Sequence, residues 1–289
     1  MRLRDRIASG EILIGDGAIG TALQRRGLPV GTAPETWTLD HPEEVKQVAA
    51  DYFRVGSDFV LTNTFGGNRI RLGAAGLGDE VDQVNSRSVA LARSVAPDSA
   101  YVVASVGPTG KVLTEEEYGD VYAEQAVVLI GAGVDGFCVE TVCSSTEGFA
   151  AVGVIRQLSD LPVVLTFALK WSHSMLATIS GEPFNDVVSR AKDLGVDVLG
   201  ANCVGWELLG DAVECLARVS GLPIAISPNA GVPDLIEGRV DYRESEEDLA
   251  ERVASVGSWR VRILGGCCGT GPVYVEALRK LVDQKPIVK

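Results

Sequence analysis

The chain has 289 residues, of which 46% are hydrophobic, and its formal net charge at pH 7 is −13. An excess of acidic side chains repels a phosphate backbone, so the charge argues against a nucleic-acid partner. No apolar run approaches the roughly 18 residues that a membrane-spanning helix needs, which argues against a membrane protein. The length fits one domain over residues 1–289, a size that α/β barrels commonly reach.

Eight short apolar runs rich in β-branched residues predict eight buried strands. They lie at 12–18, 59–65, 101–107, 136–142, 162–169, 196–203, 223–230 and 261–268. Segments with apolar residues at three- and four-residue spacing separate the runs and predict helices. These include 42–56, 80–96, 116–133, 184–195, 206–219, 246–256 and 273–283. The alternation predicts an α/β fold, a closed (β/α)8 (TIM) barrel rather than an open sheet.

Catalytic side chains of such barrels lie at the carboxyl ends of the strands. Most of the predicted strands end in polar residues, so these ends predict the site. They supply Asp16, Asn63, Thr64, Glu140, Asn202, Cys203, Asn229, Cys267 and Cys268. Three cysteines are therefore predicted to share one rim.

The other cysteines are predicted to be structural. The first residues do not form a basic and apolar leader, so we expect a cytoplasmic protein with reduced thiols. Cys138 and Cys215 lie within apolar patterns and are expected to act as small core residues. Cys143 follows a strand at the level of the rim and stays open to either role.

Cys267 and Cys268 are adjacent, which makes a disulfide between them strained and favours two thiolates on one metal ion. With Cys203 they offer three thiolates and leave one position open, as catalytic zinc sites do. Zinc held by three thiolates suits activation of a thiol, which takes the open position and loses its proton. The alternatives are a closed zinc site completed by Cys143, or three unrelated buried cysteines.

The strand-end motifs resemble the homocysteine-binding S-methyltransferase family. This family includes betaine and S-methylmethionine homocysteine methyltransferases and the N-terminal homocysteine module of cobalamin-dependent methionine synthase. The resemblance runs from about Ile12 to the C-terminus. The motifs are Gly15-Asp16-Gly17-Ala18, Thr62-Asn63-Thr64-Phe65-Gly66-Gly67-Asn68-Arg69, Ser105-Val106-Gly107-Pro108-Thr109-Gly110, Ala201-Asn202-Cys203, Pro228-Asn229-Ala230-Gly231 and Gly265-Gly266-Cys267-Cys268-Gly269-Thr270.

The resemblance implies a zinc-dependent methyltransferase that converts homocysteine, or a related small thiol, into its S-methyl product, here methionine. By position, Cys203, Cys267 and Cys268 are the zinc ligands and the catalytic residues. Asp16 and Glu140 are the candidates for binding the substrate ammonium. The alternatives for these two carboxylates are a bond within a glycine-rich turn for Asp16 and an ion pair with a lysine for Glu140.

Four further strand-end residues are candidates for orienting the ligands or binding the substrate carboxylate. Such residues often only close turns, which is the alternative for each of them. They are Asn63, Thr64, Asn202 and Asn229.

The methyl donor is expected to come from elsewhere, because nothing after the predicted barrel resembles the folate, cobalamin or reactivation modules of methionine synthase. Pro228-Asn229-Ala230-Gly231-Val232-Pro233 looks more like the corrinoid-using branch. It favours a methylated corrinoid on a separate protein, with S-methylmethionine or betaine as the second option. Two other readings stay open, namely a corrinoid-linked demethylase subunit acting on another substrate or thiol, and a non-catalytic zinc-stabilised barrel.

The segment after the fifth predicted strand departs from the Gly-Arg-Thr type of pattern that this family carries. It reads Lys170-Trp171-Ser172-His173-Ser174-Met175-Leu176. Trp171 would offer a cation-π face to a sulfonium, and His173 would titrate near the site. A packed aromatic and a solvated loop histidine are the favoured interpretations.

Overall fold

The computed structural model describes residues 1–236, 239–242, 244–256 and 260–284. Its strands are β1 (Leu13–Ile14), β2 (Phe59–Leu61), β3 (Tyr101–Val106), β4 (Gly136–Val142), β5 (Val163–Phe167), β6 (Leu169–Ser172), β7 (Met175–Thr178), β8 (Val198–Asn202), β9 (Ile224–Ser227), β10 (Pro233–Ile236), β11 (Arg239–Tyr242) and β12 (Val261–Leu264). Its α-helices are α1 (Leu3–Ser9), α2 (Ile19–Arg25), α3 (Trp37–Asp40), α4 (Pro42–Arg54), α5 (Arg69–Ala74), α6 (Val81–Arg93), α7 (Glu115–Gly131), α8 (Ser145–Leu158), α9 (Phe184–Ala191), α10 (Trp206–Val219), α11 (Glu246–Ser255) and α12 (Pro272–Gln284). Two 3-10 turns lie at Pro34–Thr36 and Lys192–Leu194.

Eight parallel strands form the barrel in the order β1-β12-β9-β8-β5-β4-β3-β2. This confirms the predicted (β/α)8 fold, because each of the eight apolar runs contains one of these strands. The strands are shorter than the runs, since the last residues of most runs turn into the rim. None of the helices in the described ranges is long and apolar enough to cross a membrane.

Helix α1 closes the amino-terminal end of the barrel. Leu3 and Ile7 pack into an interior cluster with side chains from the barrel strands, including Phe59 and Val164. Arg4 forms an ion pair with Asp197, which precedes β8. The apolar face of α1 therefore covers the barrel floor, and the site must lie at the opposite rim.

Three aspartates placed just before β2, β4 and β8 join neighbouring strands. Each lies at the third position of a Gly-x-Asp sequence, and its carboxylate accepts a hydrogen bond from a backbone N–H of the preceding barrel strand. The same aspartate donates its own N–H to the carbonyl of that residue. The pairs are Asp58 with Ile14, Asp135 with Val102 and Asp197 with Val163, each at 2.8 Å from the carboxylate oxygen to the nitrogen.

The seam between β1 and β2 relies on side chains, because these two strands share no ladder in the sheet. Besides the two bonds between Asp58 and Ile14, Asp16 Oδ2 accepts a hydrogen bond from Leu61 N at 2.8 Å. Arg6 and Arg279 pair with the Asp58 carboxylate from opposite sides. Two carboxylates therefore complete the barrel where backbone pairing is missing.

Besides the short helices α1, α2, α3 and α5, two hairpins and one long helix differ from the sequence predictions. The segment after β5 forms an antiparallel hairpin of β6 and β7, and the segment after β9 forms another from β10 and β11. Helix α8 lies in a stretch with no predicted helix. Its apolar face is interrupted by Glu147, which is buried and accepts three hydrogen bonds from Thr109 and Tyr122. These hydrogen bonds satisfy the buried Glu147 carboxylate within α8. The apolar periodicity of the sequence does not reveal them.

Replacing Asp58 by alanine should destabilise the barrel by about 2–4 kcal/mol, because Ile14 N loses its acceptor and two arginines lose their partner. Urea unfolding followed by circular dichroism measures this change. The matched control is Asp5→Ala, which removes an exposed ion pair with Arg2 and should leave stability unchanged. Equal stabilities of the two variants would contradict the role given to the seam.

Candidate functional site

The three cysteines predicted to bind metal meet at the carboxyl-terminal rim of the barrel. Cys203 directly follows β8, and Cys267 and Cys268 lie in the turn after β12. Their sulfur atoms all lie within 4.8 Å of one another. We call Cys203, Cys267 and Cys268 the sulfur trio. Among the described residues it is the one such group of potential ligands.

The end of β9 holds both cysteine-bearing turns, although β9 lies between β8 and β12 and carries no cysteine. The carbonyl of Ser227 accepts a hydrogen bond from Cys203 N at 3.0 Å. The carbonyl of Pro228 accepts one from Cys267 N at 2.8 Å. Two consecutive carbonyls therefore set the spacing between the strands that supply the sulfur atoms.

The turn after β12 is tightened by Thr270, whose hydroxyl donates to the carbonyl of Cys267 at 2.8 Å. A Cβ atom on Gly266 would lie 2.1 Å from Thr270 Oγ1, so no larger residue fits there. The glycine before the cysteine pair thus makes room for the turn's own hydroxyl.

The donor set of the sulfur trio fits a thiophilic ion such as zinc. Zinc–sulfur bonds of about 2.3 Å in a tetrahedron place sulfur atoms roughly 3.8 Å apart, which is compatible with three sulfur atoms that all lie within 4.8 Å of one another. Hydrogen bonds from Cys203 and Cys267 lower the pKa of Cys268, and the contact with Cys203 raises the pKa of Cys267. Within the trio, the other two sulfur atoms thus favour a negative charge on Cys268.

Asp16, which is buried, and Glu140, which is partly buried, are carboxylates beside the trio. Burial, together with the charge of Glu140, raises the pKa of Asp16 to about 8. Burial also raises the pKa of Glu140 to about 7, with a further contribution from Cys268. Neither carboxylate forms an ion pair with a residue in the described part of the chain, so the lysine partner considered for Glu140 is not found there. A cation entering this region would find two carboxylates without a counter-ion.

Glu140 is oriented through both of its oxygens. Ser105 Oγ donates to Oε1 at 2.5 Å, and Asn202 Nδ2 donates to Oε2 at 3.2 Å. Asn202 Nδ2 also donates to Thr141 Oγ1, while its Oδ1 accepts from Thr141 N and Thr166 Oγ1. The donors and the acceptor of the Asn202 amide are therefore occupied by protein atoms. Its position indicates that it holds Glu140 rather than binds a ligand.

The contacts of Asn202 support an unusual backbone at the end of β4. Thr141 has a φ of +58°, a left-handed conformation that β-branched residues rarely adopt. Cys203 has a φ of +56°. Such conformations persist where the surroundings over-determine them, and they often lie at functional sites.

Asn63 and Thr64, two further candidates, are engaged by the protein. Asn63 Nδ2 donates to the carbonyl of Pro34 and to Thr38 Oγ1. Thr64 Oγ1 donates to the carbonyl of Ser105 at 2.8 Å. Both side chains are buried, and these contacts join the β2 loop to its neighbours.

Asn229 differs from the other candidate amides. Its Oδ1 atom is buried and has no hydrogen-bond partner among the described residues. Its backbone N donates to the carbonyl of Val204, next to Cys203. A buried amide oxygen without a donor is costly, so this atom is suited to receive one from a ligand.

A cavity runs along the barrel axis below this rim. Asp16, Glu140 and Asn202 line its upper part, and Leu3 and Ile7 line its floor. The sulfur trio lies next to this cavity, because Asn202 and Gly266, the neighbours of Cys203 and Cys267 in the chain, are among its lining residues.

The remaining cysteines are separate from the trio. Cys215 is buried at 7% exposure, as expected for a core residue. Cys138 packs against the interior cluster and also lines the cavity. Cys143 donates to the carbonyl of Thr141 and does not join the group of sulfur atoms within 4.8 Å.

The hairpin of β6 and β7 carries Trp171 and His173. The interpretation of Trp171 as a packed aromatic is wrong, because its side chain is 51% exposed. His173 lies in the exposed turn with a φ of +48°, in line with a solvated histidine.

A sequence profile of the homocysteine S-methyltransferase family matches residues 13–282. The chain belongs to this family. Its methyltransferase relatives include the methionine synthases of Mycobacterium tuberculosis and Mycobacterium leprae, each 30% identical over 96% and 94% of the chain. The chain spans about a quarter of the length of these relatives, 25% and 24% respectively.

Among solved structures, the homocysteine methyltransferase MmuM from Escherichia coli, in its metallated form, has a TM-score of 0.83 and 25% identity. The match covers 96% of this chain and 99% of MmuM. These likenesses confirm the resemblance and the barrel fold of this homocysteine S-methyltransferase family member.

Sequence reasoning missed Tyr242, which ends β11. Its phenol forms a hydrogen bond with the sulfur of Cys268. Burial, together with the nearby charge of Cys268, raises the pKa of Tyr242. No spacing in the sequence indicates this contact, because a hairpin outside the barrel pattern delivers the ring to the site.

Replacing Glu140 by glutamine should stabilise the protein at pH 8 by roughly 1–3 kcal/mol. The raised pKa means that charge on Glu140 opposes folding, an effect that builds up between about pH 4.5 and pH 7 and is fully present at higher pH. Glutamine keeps both contacts, since the Ser105 hydroxyl accepts as well as donates. Thermal unfolding at pH 8 tests this, with exposed Glu116→Gln as the control. A less stable Glu140 variant would show that the carboxylate serves the fold.

Proposed function

We propose that this family member transfers a methyl group to the sulfur of homocysteine and forms methionine, with zinc held by Cys203, Cys267 and Cys268. The observation that carries the proposal is the sulfur trio beside a cavity whose wall holds two carboxylates without a counter-ion among the described residues. A thiol and an ammonium on one small molecule match these two features. When bound, zinc stabilises the thiolate form of a thiol at its open position.

The chain's own residues bind and orient the substrate. Asp16 and Glu140 hold its ammonium, and Ser105 with Asn202 keeps Glu140 in place. Asn229 Oδ1 accepts a further hydrogen bond from the ammonium. The thiol proton leaves to solvent at the open mouth, so no side chain has to act as the base.

Methyl transfer then requires alignment more than acid or base chemistry. A sulfur–carbon bond forms to the methyl group as the bond between that carbon and the donor breaks, and the electron pair leaves with the donor. The rigid strand ends that carry the trio fix the direction of the sulfur lone pair. The backbone bonds from both cysteine-bearing turns to the end of β9 hold the sulfur atoms in place.

We propose a methylated corrinoid on a separate protein as the donor. Supporting this choice are the motif at residues 228–233 and the mycobacterial methionine synthases, which match nearly the whole chain. S-methylmethionine or betaine is the second option, supported by the likeness to MmuM. Methionine formation from homocysteine with methylcobalamin, S-methylmethionine or betaine, each with zinc-loaded protein, tests both. Failure of every donor would overturn the proposed reaction.

Replacing Cys268 by alanine should remove stoichiometric zinc while the barrel stays folded, because backbone bonds rather than the metal hold the turn. Metal analysis together with circular dichroism measures both properties. The matched control Cys143→Ala should retain zinc. Loss of zinc in the control, or unfolding when zinc is removed from the native chain, would favour a closed structural site.

The KM for homocysteine should rise at least about tenfold between pH 8 and pH 6, because Glu140, with a pKa of about 7, and Asp16, with a pKa of about 8, both lose their charge over this range. An ammonium is bound by the ionised form. 4-Mercaptobutyrate, which has the same thiol without the amine, should lack this dependence. An equal rise for both thiols would place the titration elsewhere.

A further inference from the structure

The ring of Tyr242 packs directly on the peptide that follows the cysteine pair. Gly269 has a φ of +88°, and a Cβ atom built on it would lie 2.3 Å from Tyr242 Cγ. Glycine at this position therefore serves both the left-handed backbone and the close approach of the ring. The contact places the half-buried phenol over the turn that carries Cys268.

The hairpin ties the phenol to the same segment that positions the trio. Tyr242 pairs with Pro233, which lies shortly after the end of β9. Its hydroxyl hydrogen-bonds the sulfur of Cys268. Because a phenol donates its proton more readily than it accepts one from a thiol, the bond runs from the Tyr242 hydroxyl to the Cys268 sulfur.

We propose that Tyr242 is a positioning residue that sets how much charge the Cys268 sulfur donates to a bound metal ion. This inference rests on the metal assignment of the proposed function. A hydrogen bond to a thiolate draws electron density away from the metal–sulfur bond. The metal then keeps more positive charge, and a substrate thiol in the open position is held more firmly as its thiolate.

Loss of the phenol oxygen should therefore weaken thiol activation without removing the metal. The Tyr242→Phe variant keeps the ring against Gly269 and should lower kcat/KM for homocysteine by about three- to tenfold, the loss expected for one hydrogen bond. The variant should still bind one metal ion per chain. Activity alone would not separate this role from a structural one.

Cobalt substitution supplies the decisive measurement. In Co2+-loaded protein, sulfur-to-cobalt charge transfer gives an ultraviolet absorption band whose energy falls when a sulfur loses a hydrogen bond. We expect the band of Tyr242→Phe to move to longer wavelength. The matched control is Tyr274→Phe, whose hydroxyl donates to the carbonyl of Gly265 at 2.9 Å and not to a sulfur. Its band should stay in place.

Two outcomes overturn the inference in distinguishable ways. An unshifted band in Tyr242→Phe, with cobalt bound as in the native chain, limits Tyr242 to packing. Absence of any charge-transfer band in the native chain removes the metal assignment itself, and the inference with it. The Tyr242→Leu variant guards against a packing artefact, because it should show the same band shift together with a lower melting temperature.

Discussion

The backbone at the end of β9 is the interaction on which the site depends. Four consecutive residues, 227–230, bond alternately to the two cysteine-bearing turns on either side. The carbonyls of Ser227 and Pro228 accept from Cys203 and Cys267, and Ala230 N donates to the carbonyl of Cys268. A strand without a cysteine thereby acts as the spacer between strands that have them. Ligands separated by more than 60 residues along the chain meet because one segment satisfies both turns.

A single side chain, that of Asn202, likewise organises the surroundings of the Glu140 carboxylate. Asn202 uses its amide on Glu140, Thr141 and Thr166, so the end of β8 also fixes the ends of β4 and β5. This arrangement has two unfavourable features. Thr141 has a left-handed backbone conformation, and the charge of the partly buried Glu140 carboxylate opposes folding. Strain and unfavourable charge gathered at one rim, above a well-packed barrel wall, are what a binding site needs and a purely structural fold avoids.

The barrel and the sulfur trio could be predicted because both follow from strand periodicity: once eight runs are counted, strand ends must share a rim. The roles of Asn63, Thr64 and Asn202 could not be predicted, because the hydrogen bonds of these side chains depend on neighbours in the folded structure, such as Pro34 and Thr166. Tyr242 was missed for another reason, since β10 and β11 add a hairpin that the barrel repeat does not require. A Gly-x-Asp sequence recurs before β2, β4 and β8. This repeat is a sequence signal that locates the starts of these strands.

The Asp16 carboxylate contributes both to the closure of the barrel wall and to the lining of the cavity. Its Oδ2 atom closes the seam between β1 and β2 through Leu61 N, and its carboxylate faces the cavity. An ammonium bound there would compete for, and polarise, the same group that completes the ring of strands. Occupancy of the cavity and integrity of the barrel wall are therefore thermodynamically linked. Substrate binding would change the amide-proton protection of Leu61, on a strand that carries none of the sulfur atoms.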